Sequence, residues 1–205
     1  MKVNAVINKP SFSVDTAKKS AIISSFTIAA GIVVGTLIYQ LSSKQISSEL
    51  FDSFVRFSTD FSNKNKPEIF SGLVLQNLSY YLLMIVFSVS ALGTPAILFF
   101  SFVKSMGLGM LTTYIYDAYA LKGIEYCLLV LFPGKIFLIF AMILLTQNCY
   151  VMSVDISRSL RNKSEGGVEF RKFALRALLI LIVIVMSGFI DFLTVISFSS
   201  LFDFS

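Results

Sequence analysis

Residues Ser90–Gly109 read SALGTPAILFFSFVKSMGLG. Apolar residues run up to a Gly-Thr-Pro break at Gly93–Pro95. They resume through Lys104 to a Gly-x-Gly step at Gly107 and Gly109. A tight turn thus joins two long apolar stretches, and the second of them carries one charge. Proline has no N–H to donate and restricts the residue before it, so a helix tends to end at such a break. The pattern is that of a hydrophobic hairpin in an integral membrane protein.

The whole composition agrees with the hairpin. Of 205 residues, 56% are hydrophobic and 14% charged, and the mean hydropathy is +0.80. A soluble domain carries about 25% charged residues. The length allows one integral membrane domain over residues 1–205. Trp is absent and Phe numbers 21, so an aromatic belt must come from Tyr and Phe. The net charge of +5 sits mostly between apolar runs, where it sets topology rather than binding nucleic acid. There is no histidine, which removes the commonest general base and the commonest metal ligand. Cys127 and Cys149 form no Cys-x-x-Cys and read as small hydrophobes. No metal and no cofactor is expected.

Working outward from the hairpin, the predicted architecture is an all-α polytopic membrane bundle of five spans. Ala21–Leu41 is the first, an uncharged run long enough for a core of about 30 Å. It is longer than a signal-peptide core and ends in Ile-Tyr-Gln-Leu, so an uncleaved span is expected. Gly31 and Gly35 form a Gly-x-x-x-Gly pair that lets another helix approach. Ile69–Leu92 and Ala96–Tyr116 flank the Gly93–Pro95 turn. Asp117–Gly123 is expected as a short loop. Ile124–Val151 follows, interrupted by Pro133-Gly134-Lys135. It is either one kinked span, or a half-helix over Ile124–Phe132 and a span from Ile136. Ala177–Phe198 is the last span.

Within the polar connector Ser42–Pro67, Leu50, Phe54, Phe57 and Phe61 recur at spacings of four, three and four, with Phe51 at the edge of the stripe. That is a helix with one apolar face. It suits a bilayer surface or a docking partner. Asp52, Arg56 and Asp60 lie on its other side at i,i+4 spacing.

Charge then orients the bundle. The N-terminal segment holds four lysines and Ser153–Arg176 holds six lysines and arginines, ten of the 17 in the chain. Four spans separate these segments, so they fall on one side. The positive-inside rule makes that side cytoplasmic. The N-terminus and the Gly93–Pro95 turn are then inside. Ser42–Pro67, Asp117–Gly123 and the C-terminus are outside.

Ionisable residues within a bilayer are costly and face protein or water. Lys104, Lys135 and Asp191 are the three here. Lys104 falls near the midplane, about 14 Å from the inner turn. Lys135 lies near the midplane in a kinked helix, or near the outer surface in a split one. Asp191 falls in the outer part of the last span, and a Lys135–Asp191 pair offsets the cost of both. Such charges either line an ion or substrate pathway, snorkel, or pair structurally. Gly107 and Gly109 are expected as helix-packing positions, since no phosphate-loop pattern surrounds them.

The turn, the third span and the next proline together resemble the stage II sporulation protein M family. The residues that carry the likeness are Gly93-Thr94-Pro95, Lys104–Gly109, Lys122-Gly123-Ile124 and Phe132-Pro133. The chain departs from the family pattern at Ser105, where glycine is frequent, and at Gly134-Lys135, where polar residues are usual. The resemblance implies a non-catalytic membrane scaffold. Its partners would be the peptidoglycan-cutting stage II sporulation proteins D and P. Its place would be the sporulation septum, during engulfment of the forespore.

Two functions remain open from sequence. The first is that scaffold, with Leu50, Phe51, Phe54, Phe57 and Phe61 and the cytoplasmic loop as contact surfaces. The second is a permease-like subunit of an ABC-type transporter, with a polar site around Lys104, Lys135 and Asp191. A polar cavity joining Lys104 to Lys135 would favour transport, and a dry bundle would oppose it. An enzyme is not expected, because acid–base chemistry needs positioned titratable groups. Membrane lipid is a partner in either case, and a homo-oligomer is left open.

Overall fold

The computed structural model describes residues 14–42, 66–161 and 170–198. These form α1 (Val14–Leu41), α2 (Lys66–Ser88), α3 (Gly93–Tyr126), α4 (Phe132–Arg161) and α5 (Phe170–Phe198), with a π-helical turn, Cys127–Leu131, joining α3 to α4. Each helix holds a stretch long and apolar enough to cross a membrane: Lys18–Leu41, Phe70–Ser88, Gly93–Asp117, Leu121–Leu160 and Phe170–Ser197. The chain is an all-helical, multi-pass membrane protein. The apolar stripe Leu50, Phe51, Phe54, Phe57 and Phe61 lies outside the described residues.

The outside of the bundle confirms its solvent. Phe26 is 74% exposed and Val86 70%. Leu82, Phe99, Phe140, Leu179 and Ile182 are also on the surface. Water would penalise so continuous an apolar ring, whereas hydrocarbon accepts it. The core lies around α4, which touches each of the other four helices. Its Leu138, Ala141, Met142, Leu145 and Cys149 are buried together with Ile28, Met84, Ile97 and Ile184.

The hairpin around Gly93 is present, with its turn shifted. α2 ends at Ser88, and Val89–Leu92 makes the turn. The Ser90 N–H donates to Phe87 O at 3.1 Å and the Gly93 N–H to Ser90 O at 3.0 Å. Gly93, Thr94 and Pro95 are therefore the first turn of α3 rather than the reversal itself. The first N–H groups of a helix have no intrahelical acceptor, so proline's missing donor costs nothing there.

The expected loop at Asp117–Gly123 is corrected. The chain does reverse in this region, but it stays helical. Helical hydrogen bonding continues from Gly93 to Arg161. Yet Ser101 and Thr146 lie 2.8 Å apart across 45 residues, which a straight helix would separate by about 68 Å. Ile115 clusters with Tyr126 and Val130, which puts the reversal between Ile115 and Tyr126. The polar loop expected at Ser153–Arg176 is shorter than its composition suggests. α4 runs on to Arg161 and α5 begins at Phe170. At Pro133 the helix also continues, and its irregularity lies one turn earlier. There the Phe132 N–H donates to Cys127 O, five residues back. A π turn before proline is a recognised way to carry a helix past the missing donor.

Candidate intramembrane site

Three groups of polar side chains fix the helices, and two of them enclose the candidate site. The first lies between α4 and α5. Ser187, Asp191 and Thr194 are spaced by four and three residues, so they share one face of α5. Ser187 Oγ donates to the Gly134 carbonyl at 2.9 Å. Lys135 Nζ donates to Asp191 Oδ2 at 2.9 Å. Thr194 Oγ1 reaches the Val130 carbonyl at 2.9 Å, with the Ile190 and Asp191 carbonyls of its own helix as alternatives. These contacts satisfy backbone around the proline, where irregular helix is tolerated in a membrane only if protein or water partners it. Gly134 is required by the same geometry, because a Cβ there would collide with the Asp191 carboxylate and its backbone N.

The second group joins α2, α3 and α4 in the core. Tyr80 OH lies 3.1 Å from Ser101 Oγ, and Ser101 Oγ lies 2.8 Å from Thr146 Oγ1. All three residues are buried. Lys104, one turn along α3 from Ser101, holds its Nζ 6.0 Å above the Tyr80 ring. That is the outer limit of a cation–π contact.

Between these two groups is a cavity of about 350 Å³. Its polar lining is Gln76, Asn77, Ser79, Tyr80, Lys104, Lys135 and Asp191, and most of the remaining wall is aliphatic, including Leu73, Leu108, Leu111, Val130 and Leu138. α2, α3, α4 and α5 all contribute; α1 does not. The cavity thus joins Lys104 to Lys135, but through walls that are largely apolar.

The third group sits at the turn end of the bundle. Ser153 Oγ donates to the Ser90 carbonyl at 2.9 Å and lies 3.0 Å from Thr94 Oγ1. This ties the hairpin turn to α4. At the opposite end, Tyr39 OH donates to Asp117 Oδ2 at 3.1 Å, and the Tyr39 and Tyr114 rings meet edge to face.

The glycines separate into distinct roles. A Cβ on Gly31 would strike the Ser105 side chain and the Phe102 carbonyl, one on Gly35 the Met106 backbone, and one on Gly109 the Ile32 backbone. The Gly-x-x-x-Gly pair of α1 and Gly109 of α3 thus bring two backbones into direct contact. This packing is internal, so it does not leave that motif for a second copy. Gly107 instead lines the cavity. Gly123 is buried near the end of α3.

The chain matches the family model described as Stage II sporulation protein M over residues 24–194. It belongs to that family. The match takes in all five membrane-length helices, at least in part, and nearly all of the candidate site. Neither the curated proteins nor the solved structures give a match.

Some of the site escaped sequence reasoning. Ser187 and Thr194 could have been found from their spacing to Asp191. Asn77 could have been found as a lone amide within the second span. The hydroxyl trio of Tyr80, Ser101 and Thr146 carries no sequence signal, because small hydroxyl residues are ordinary in membrane helices.

Proposed function

We propose that this family member is a non-catalytic membrane scaffold of forespore engulfment, which positions peptidoglycan hydrolases at the septum. The observation that carries the reading is the family match over residues 24–194. By family resemblance the partners are stage II sporulation proteins D and P, and the cutting chemistry belongs to them. The bundle suits such a role. Its helices are joined by polar contacts at the turn end, in the core and along α5, so it can hold outer segments in fixed relation. The charge distribution orients it with the N-terminus and the Val89–Leu92 turn in the cytoplasm and the C-terminus outside. By its sequence pattern, the outer connector offers Leu50, Phe51, Phe54, Phe57 and Phe61 as the expected contact surface for the partners. The test is a pull-down from sporulating cells with Phe54→Asp and Phe57→Asp together. Reduced recovery of both hydrolases is the expected result. Unchanged recovery, with normal membrane levels of the variant, rejects this contact surface.

A second reading has one observation in its favour. The cavity that joins Lys104 to Lys135 is the feature a permease-like subunit would need. Discontinuous helices often line substrate sites in transporters, and the π turn before Pro133 borders this cavity. Co-purification from native membranes separates the two readings. An ATP-binding subunit in the eluate favours transport, and hydrolases favour the scaffold.

A further inference from the structure

Lys104 is the least explained residue of the bundle. Lys135 has the Asp191 carboxylate at 2.9 Å. Lys104 has only the Tyr80 ring, at 6.0 Å, and among the described residues no carboxylate pairs with it. Its position on α3, 11 residues from the helix start at Gly93, puts it about 16 Å from the hairpin turn. An uncompensated cation at that depth is expensive and usually marks a ligand or ion site.

Asn77 supplies an independent second observation. It is 4% exposed and lines the same cavity; among the described residues its amide makes no hydrogen bond, and its polar atoms are open to the cavity rather than sealed in the core. Amides on residues this enclosed ordinarily find a partner, so one left free and open to a cavity has its hydrogen-bonding capacity available to a ligand there. Asn77 and Lys104 lie at one level of the antiparallel α2–α3 hairpin, each about 11 residues from its turn. Two donor groups therefore line one cavity at a common level. The cavity's formal charge is +1, from Lys104, Lys135 and Asp191. Its volume of about 350 Å³ lies in the range of small-ligand pockets, about 300–1,000 Å³.

The walls narrow the ligand further. Leu73, Leu108, Leu111 and Leu138 offer nothing to a hydrated ion. Ser79 on α2 and Val103 on α3 line the cavity and are also exposed at the bundle surface. The opening thus faces sideways, between α2 and α3, where the bilayer lies.

We propose that this cavity binds an acidic amphiphile from the membrane: one negative headgroup, phosphate or carboxylate, carried on an apolar chain. The headgroup accepts from Lys104 Nζ and the Asn77 amide. Lys135, with one of its three donor positions committed to Asp191, adds attraction from the far wall. The chain leaves between Ser79 and Val103. A quaternary ammonium beside the same phosphate would meet Lys104 and be disfavoured. The site does not depend on the scaffold reading, and loss of hydrolase recovery would leave it untouched.

The test uses the full chain, extracted from nanodiscs containing equal phosphatidylglycerol and phosphatidylcholine and analysed by native mass spectrometry. One retained phosphatidylglycerol, preferred by about tenfold over phosphatidylcholine, is expected for a charged hydrogen bond at a buried site. Lys104→Met keeps the side-chain volume and should abolish the preference. Lys104→Arg should keep it, and Lys122→Met, an exposed lysine, should not change it. Equal retention by wild type and Lys104→Met overturns the proposal. So does displacement of the lipid by inorganic phosphate, which would make the ligand a soluble anion. If Lys104→Met does not fold, a photoreactive acidic lipid on the wild-type chain decides the matter. Labels on the α2 and α3 peptides that hold Asn77 and Lys104 support the site. Labels confined to the basic segment around Arg171–Arg176 overturn it.

Discussion

Replacing Asp191 by Asn tests whether the Lys135–Asp191 contact acts as an ion pair or as an ordinary interhelical hydrogen bond. Asn keeps the shape that Gly134 accommodates and removes the charge. The side chains of Lys135 and Asp191 are 18% and 4% exposed, so the pair is buried. Removing one member of a buried pair costs about 3–5 kcal/mol, because the other charge is left uncompensated. Asp191→Asn should fall at the low end, about 3 kcal/mol, since Lys135 retains some exposure and a flexible stem. Lys135→Met should cost more, about 4 kcal/mol, because it strands the less exposed Asp191 carboxylate. The double variant leaves a neutral amide beside a thioether. It should cost only about 1–2 kcal/mol, on the order of a lost hydrogen bond or an unpaired polar group. The expected coupling is therefore about 5–6 kcal/mol, well above the interhelical hydrogen bonds of membrane proteins, which average about 0.6 kcal/mol. Reversible unfolding in mixed micelles, run as a double-mutant cycle, measures it. Additive losses, or a coupling near 0.6 kcal/mol, would show that the contact carries no ion-pair energy and would refute this reasoning.

Gly35→Val places a branched side chain against the Met106 backbone. Overpacking of this kind costs about 1–3 kcal/mol, and the same assay should show it, while Gly72→Val in α2, for which no such clash arises, should cost less. Reporter fusions within residues 162–169 and after Ser205 should report opposite sides of the membrane, the first cytoplasmic. The same side for both would overturn the five-span orientation.

Much of the fold was legible because apolar length is a strong signal in this solvent. Five runs gave five helices. Asp191 and Lys135 could be paired from sequence because membrane charges are few, and each needs an opposite partner. The reversal after α3 was harder. Asp117 and Lys122-Gly123 look like a loop, yet helical hydrogen bonding persists through them, and neither composition nor spacing signals that continuity. Gly107 and Gly109 were grouped as packing residues, but two positions along a helix are about 200° apart. Only one of them can face α1, and the other faces the cavity. The cavity itself was out of reach. It is assembled from four helices at a common depth, and sequence spacing within one helix carries no information about that depth match.

The contact of Gly31 and Gly35 with Phe102–Gly109 also has a consequence in time. These two segments are about 70 residues apart in the chain. At about 5–20 residues per second, roughly 4–15 s pass between the synthesis of one and the other. Throughout that delay α1 has no α3 to cover its bare backbone groove. α1 is made well before α3, so it acquires its main partner only after the hairpin turn at Val89–Leu92 has been made.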